Sequence, residues 1–126
     1  MIRHKNKYLY GFLSRSNRIC DREQQESLLI EYNHNNSISI LDIGCGTGDF
    51  LKHGINRLNV NGVGVEPNSE AAAISSSKHI TVYNNINELN NEKYDVITLW
   101  HVLEHVTDLK EYFNFFNNHL KENGML

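Results

Sequence analysis

Leu41-Asp42-Ile43-Gly44-Cys45-Gly46-Thr47-Gly48-Asp49 is the stretch whose reading decides the fold. It continues a short β-branched run, Ile38-Ser39-Ile40, that stops at glycines, so residues 38 to 43 read as a strand. After the glycines, Phe50, Leu51 and Ile55 recur at helical spacing and predict a helix from Asp49 to about Leu58. Glycines in such a turn reach positive φ and let a ligand approach the backbone without a side chain in the way. The helix start beyond them offers N–H groups and a partial positive charge to an anionic group.

Further along the chain the same alternation repeats. Gly62-Val63-Gly64-Val65-Glu66 predicts a second strand, closed by Pro67, and Asn68 is placed to cap a helix over Ser69 to about Ser76. Ile80 to Tyr83 predicts a third strand. Tyr94 to Leu99, nearly all apolar, predicts a fourth that is buried on both faces. Asp108 followed by Glu111 makes a capping-box pattern, and Leu109, Tyr112, Phe113, Phe116 and Leu120 give the next helix its apolar stripe, with Gly124 as its stop. Strands alternating with helices specify an α/β fold: a Rossmann-like parallel sheet with helices on both faces. On this reading no fifth strand follows, so the sheet is incomplete at its C-terminal side. The fourth strand, with Val96, Ile97 and Leu99, is then an exposed edge that invites pairing with a second copy of the chain, a homodimer.

The chain divides into residues 1–37, a helical and basic segment, and residues 38–126, a partial Rossmann-like domain. Arg3, Lys5, Lys7, Arg15, Arg18 and Arg22 oppose only Asp21 at the amino terminus, and a helix is expected from about Arg22 to Tyr32. With 126 residues there is room for one modest domain, and 40% hydrophobic with 21% charged residues is ordinary for a globular protein. No apolar run approaches the roughly 20 residues of a membrane span, and no secretory signal is visible. Cys20 and Cys45 stand far apart in unlike contexts, which suggests reduced thiols in a cytoplasm. A net charge of -3 argues against nucleic acid as a partner held by bulk electrostatics.

Glu66 gives the glycine turn a ligand class. An acid at the end of the second strand, about 20 residues past the turn, is placed to take both hydroxyls of a ribose, which indicates an adenosine-containing ligand. A dinucleotide would set a pyrophosphate at the helix start, and its fingerprint has a third glycine where this chain has Asp49. Asp42 and Asp49 bracket the turn, and one like-charge contact at roughly 4 Å costs about 4 kcal/mol at an effective dielectric near 20. S-adenosyl-L-methionine carries an ammonium and a sulfonium beside one carboxylate, so acids favour it.

Ile40–Gly48, Val63–Pro67 and Tyr94–Val106, in that order and at these intervals, resemble the class I S-adenosylmethionine-dependent methyltransferases, in the small-molecule group that includes the ubiquinone-biosynthesis O-methyltransferases. The resemblance implies methyl transfer to a small-molecule acceptor. It also implies that Asp42, Gly44, Cys45, Gly46 and Gly48 hold the methionine moiety and that Glu66, with Pro67 beside it, holds the ribose. Leu99, Trp100 and His101 would line the sulfonium region. Asn85 stands where many relatives have an acid toward adenine, and its carbonyl is suited to the adenine amine. Relatives continue into a fifth strand and a hairpin, so the resemblance also implies a truncated chain.

His101, Glu104 and His105 stand at i, i+3 and i+4, on one face if the segment is helical. A neutral imidazole, of His101 or His105, could remove the acceptor's proton. Two imidazoles and a carboxylate also suit a divalent ion, and a purely structural hydrogen-bonded pair is the third reading. The same residues match the His-x-x-Glu-His of inverted zinc peptidases, which leaves the glycine turn unexplained. Besides methyl transfer, a cofactor-binding remnant without turnover and a nicotinamide-dinucleotide module remain as alternatives.

Overall fold

The computed structural model describes residues 37–99, 102 and 107–126. The basic segment and its helix from Arg22 to Tyr32 lie outside the described residues apart from Ser37, as do Trp100, His101, Glu104 and His105. Five parallel strands form one sheet in the order β3-β2-β1-β4-β5. They are β1 (Ile38–Ile43), β2 (Val60–Val65), β3 (Thr81–Tyr83), β4 (Tyr94–Leu99) and β5 (Leu120–Met125). Helix α1 (Asp49–Arg57) links β1 to β2 and α2 (Ser69–Ser77) links β2 to β3. A 3-10 turn (Ile86–Glu88) precedes β4, and α3 (Leu109–His119) joins β4 to β5. No helix of the described residues is long and apolar enough to cross a membrane.

Two apolar layers follow from the period-two alternation of β1. Ile38 and Ile40 cluster with Phe50 and Leu51 of α1, Val60, Ile80 and Val96. Leu41 and Ile43 belong to the opposite layer, with Val65, Ile97, Leu99, Phe115, Phe116 and Leu120. Helices on both faces explain why β1 and β4 are almost wholly buried, as a central parallel strand requires.

The structure corrects the expectation of a last helix running to Gly124 with no fifth strand. Helix α3 ends at His119; Leu120 is extended at φ -96° and ψ 130°, its N–H donates to the Phe116 carbonyl, and the chain runs on beside β4. Eleven helical residues span about 16 Å, enough to carry the chain back along the sheet. There the unpaired N–H and C=O groups of β4 are satisfied by pairing, which outweighs continued helical spacing. β4 is therefore not a free edge, and the homodimer inferred from an exposed fourth strand loses its premise. β5 is irregular: Tyr94 pairs with Leu120 but Val96 with Met125, so two steps on β4 match five on β5. Gly124 fits this fold-back, since a Cβ there would lie 2.7 Å from Leu120 Cγ and 2.9 Å from the Lys121 carbonyl oxygen. The apolar stripe of α3 is also shifted. Phe115 and Phe116 are buried, whereas Leu109 and Phe113 are 47% and 44% exposed.

Asp95 fastens β1, β4 and β5 together. Its Oδ2 accepts from the Ser39 N–H at 2.8 Å, the Ser39 hydroxyl at 3.0 Å and Lys121 Nζ at 3.1 Å. Burial pushes this carboxyl up, but the Ser39 amide, the Lys121 ammonium and the Ser39 hydroxyl together hold it below the usual range. Asp95→Ala is expected to cost about 2 kcal/mol in urea unfolding, because it leaves the Ser39 amide without its acceptor. Lys121→Ala, which breaks only a partly exposed pair, should cost about 0.5 kcal/mol or less. The Asp95 contribution is present above the unfolded carboxyl pKa and is lost as pH falls through the lower folded value.

Candidate functional site

The loops at the carboxyl ends of the strands enclose a cavity of about 570 Å³. In an open parallel sheet a ligand crevice belongs at these ends, where strand order reverses between β1 and β4. Ile43 and Gly44 come from the end of β1, and Val65, Glu66 and Pro67 from the end of β2. Asn84, Asn85, Ile86 and Asn87 follow β3; Val102, Glu111 and Tyr112 close the opposite side.

The glycine turn is built by inward hydrogen bonds. Gly44 and Cys45 both donate their N–H to the Val65 carbonyl, at 2.8 and 3.1 Å. The Gly46 N–H donates to Glu66 Oε1 at 3.0 Å, and the Gly48 N–H to the Cys45 carbonyl at 3.0 Å. Gly44, Gly46 and Gly48 all have positive φ, as expected from the sequence. The turn thus differs from the anticipated cradle of free amides, because four of its N–H groups are already satisfied within the protein. Gly48 is held by packing, since a Cβ there would collide with Ser75 Oγ and lie 2.8 Å from Ile80 Cδ1. Gly46 has open space, with nothing within 4 Å of a built Cβ.

The acids around the turn act differently from the simple bracket read in the sequence. Asp49 is 75% exposed and paired with Lys78 Nζ at 2.7 Å, so its charge is largely compensated. Asp42 is buried beneath the turn and accepts a 2.7 Å hydrogen bond from the Thr98 hydroxyl. Burial pushes its pKa up to about 7; the Thr98 bond opposes this and the Glu66 charge adds to it. The acid that stands against an incoming anion is Glu66, which lines the cavity and whose Oε2 also accepts from the Asn68 N–H at 2.9 Å.

Four of the residues expected at a binding site, Gly44, Glu66, Pro67 and Asn85, line the cavity. Asp42, Cys45 and Leu99 are buried instead, and Gly46 reaches the cavity only through its bond to Glu66. The Cys45 side chain packs in the core, 3.9 Å from Ser75 Oγ, and burial pushes its thiol up to about 11. Leu99 faces the apolar layer under α3. Asn85 is in place, but its Oδ1 already accepts from the Asn87 N–H at 2.9 Å, capping the 3-10 turn. Glu111 and Tyr112 were legible only as helix residues; nothing local marks the side of α3 that meets a distant loop. Among the described residues no three His, Cys, Asp or Glu side chains form a group able to hold a metal.

A family model described as "Methyltransferase domain" matches residues 13–126. The ubiquinone biosynthesis O-methyltransferase of Rickettsia typhi is 31% identical over 125 residues, covering 92% of this chain and 50% of that protein. That of Rickettsia prowazekii is 32% identical over 123 residues, covering 92% and 49%. The chain therefore spans about half the length of the curated relatives it matches. Among solved structures, a SAM-dependent methyltransferase from Thiobacillus denitrificans in complex with S-adenosyl-L-homocysteine superposes with a TM-score of 0.68 at 14% identity, over 92% of this chain and 52% of the other. Phosphoethanolamine N-methyltransferase 2 of Haemonchus contortus, in complex with S-adenosyl-L-methionine, gives 0.69 at 18% identity, over 82% and 26%. At these identities the structures establish a shared fold.

Two stability measurements test this geometry. Gly48→Ala should cost about 2–3 kcal/mol, from positive φ plus the collision with Ser75, whereas Gly46→Ala should cost about 1 kcal/mol from φ alone. Thermal unfolding of both variants distinguishes them. Asp42 keeps its proton to about pH 7 in the fold but loses it near 3.9 when unfolded, so wild-type stability should fall as pH rises between these values. Asp42→Asn should flatten that slope, gaining on the order of 3 kcal/mol relative to wild type between pH 4 and pH 8.

Proposed function

The chain belongs to the methyltransferase-domain family, and we propose that it binds S-adenosyl-L-methionine in the cavity at the ends of β1 to β3 and transfers the methyl group to a small-molecule acceptor. The observation that carries this reading is the bond between Glu66 and Gly46. It sets a carboxylate at the mouth of a glycine turn whose Gly44, Cys45 and Gly48 amides are engaged by backbone carbonyls. A diphosphate would meet that carboxylate with four of the turn's amides already engaged within the protein. A ribose diol, by contrast, supplies two donors to it.

The residues present fit such a ligand. The cavity volume of about 570 Å³ lies within the range of small-ligand sites, and its walls combine apolar Ile43, Val65 and Ile86 with polar Glu66 and asparagines. Glu66 would hold the ribose hydroxyls, exchanging its bond to Gly46 for one to the ligand. Gly44, lacking a side chain, admits the ligand close to the backbone at the end of β1. Asp42 does not touch the cavity; once ionised, it would add negative potential beneath the turn and favour a cationic ligand. When bound, S-adenosyl-L-methionine supplies an electrophilic methyl carbon on a sulfonium, and transfer is an in-line displacement. Positioning the acceptor against that carbon accounts for most of the expected rate. His101 or His105 would take the acceptor's proton, and Trp100 and His101 would border the sulfonium. The matched relatives are named O-methyltransferases, which makes a hydroxyl oxygen the acceptor atom to test first. This reading places the protein in the cytoplasm, without a nucleic-acid partner.

Because the chain spans about half of those relatives, a second reading is cofactor binding without turnover. Calorimetry should give saturable binding of S-adenosyl-L-methionine and of S-adenosylhomocysteine, with no heat from a nicotinamide dinucleotide. Glu66→Ala should weaken both by about tenfold or more, the scale of hydrogen bonds to a charged acceptor. Affinity for the cationic cofactor should rise as pH increases through 7, and Asp42→Asn should remove that rise. Transfer of a labelled methyl group to a panel of small hydroxylated acceptors separates the two readings; binding with no product favours the second. Tight nicotinamide binding without a response to S-adenosylhomocysteine rejects both.

A further inference from the structure

Helix α1 and Lys78, the residue that follows α2, enclose a second cavity of about 240 Å³, which shares no lining residue with the first. Asp49, Lys52, His53, Asn56 and Arg57 line it, at the spacing of one helical face and away from the Phe50, Leu51 and Gly54 that α1 buries. Hydrogen bonds bring Lys78 against this face. Lys52 Nζ donates to the Lys78 carbonyl at 3.0 Å, and Lys78 Nζ donates to the Thr47 carbonyl and to Asp49 Oδ1, both at 2.7 Å.

These contacts set the charge of the cleft. Asp49, the one carboxylate in its lining, compensates Lys78. Lys52 is half-buried with a neutral carbonyl as its partner, and the exposed Arg57 guanidinium makes no hydrogen bond or ion pair among the described residues. Two positive charges are thus left over in one recess of a chain whose net charge is -3. A lysine on an ordinary solvated face extends its ammonium into water. Here both ammoniums turn back onto backbone carbonyls and keep donors to spare, two on Lys52 and one on Lys78.

We propose that this cleft is a second binding site, which receives the phosphate group of a soluble phosphomonoester on Lys52 and Arg57, with the spare donor of Lys78 and the Asn56 amide completing the set. The site is independent of the cofactor cavity. Two uncompensated cations match a dianion, whereas a carboxylate would leave one of them unmatched. The guanidinium fork is suited to two phosphate oxygens at once, and fixed ammoniums serve as point charges beside it. A volume of about 240 Å³ lies below the range of sites that enclose a whole drug-sized ligand, so it suits a head group whose remainder extends into solvent. A membrane surface, by contrast, is met by a broader patch of four to eight basic residues. Asp49 opposes an anion at the Lys78 end, which sets the phosphate toward Lys52 and Arg57.

The test follows backbone amide resonances of the full chain during titration with inorganic phosphate and with glycerol 3-phosphate. Amides of Lys52, His53, Asn56 and Arg57 should shift saturably with both probes, more weakly with acetate, and not with chloride at equal ionic strength. Arg57→Gln and Lys52→Gln should each weaken phosphate by about tenfold, the scale of a hydrogen bond between charged groups. Glu66→Ala should leave phosphate binding unchanged. Arg57 is exposed and its variant should fold, as checked by thermal unfolding, so Arg57→Gln decides the matter even if Lys52→Gln, which gives up the bond to Lys78, does not fold. The proposal is overturned by an absence of saturable shifts, by an equal response to chloride or acetate, or by wild-type affinity in Arg57→Gln. Co-sedimentation with phosphatidic acid vesicles without any response to inorganic phosphate also overturns it, in favour of a lipid surface.

Discussion

At the end of β1 three consecutive amides turn toward the end of β2. Gly44 and Cys45 share the Val65 carbonyl, and Gly46 takes the Glu66 carboxylate. These bonds hold the glycine turn in a shape that only positive φ permits. They fix where α1 begins and set the floor of the cavity. Gly64 is part of the same arrangement: a Cβ there would stand 2.5 Å from Cys45 Sγ, so the absent side chain leaves room for the turn to lie against β2. A buried thiol and a glycine in the neighbouring strand are thus one packing solution seen from two sides.

The arrangement also governs charge. A turn with unsatisfied amides attracts anions, but here the protein engages four of those amides itself and adds a carboxylate at the mouth. Asp49 is neutralised across the turn by Lys78. Asp42, buried under the strand ends, changes charge near neutrality. The proposed preference for a cationic nucleoside over a diphosphate therefore rests chiefly on one side chain, Glu66, and on where its hydrogen bonds go.

Around this floor the sheet does what a doubly wound topology requires. The two apolar layers keep β1 and β4 rigid, while loops from both faces supply the cavity walls. Asp95 carries the tie outward, from Ser39 on β1 to Lys121 on β5, so the edge strand is bonded to the centre of the sheet by side chains as well as by its short ladder. Family membership and fold agree with this architecture.

By itself the sequence determined most of what is local. Alternation along β1 and β4, the glycine turn, and the Asn68 and Asp108 caps each depend on neighbours a few residues away, so each was legible. Glu66 was legible too, because a fixed strand and helix length places it opposite the turn. What the tertiary structure decided involves distant partners. Leu120 continues the helical spacing of α3, yet an open edge of β4 draws it into a strand, because unpaired backbone groups cost more than a broken period. Asp42 and Cys45 look like turn residues but point into the interior, where burial raises both pKa values. The Asn85 carbonyl was taken by a local cap, and Glu111 was carried to the cavity by a helix that had to cross the sheet first. Spacing records neighbours along the chain; which side chain meets which across a cavity is set only when the layers pack.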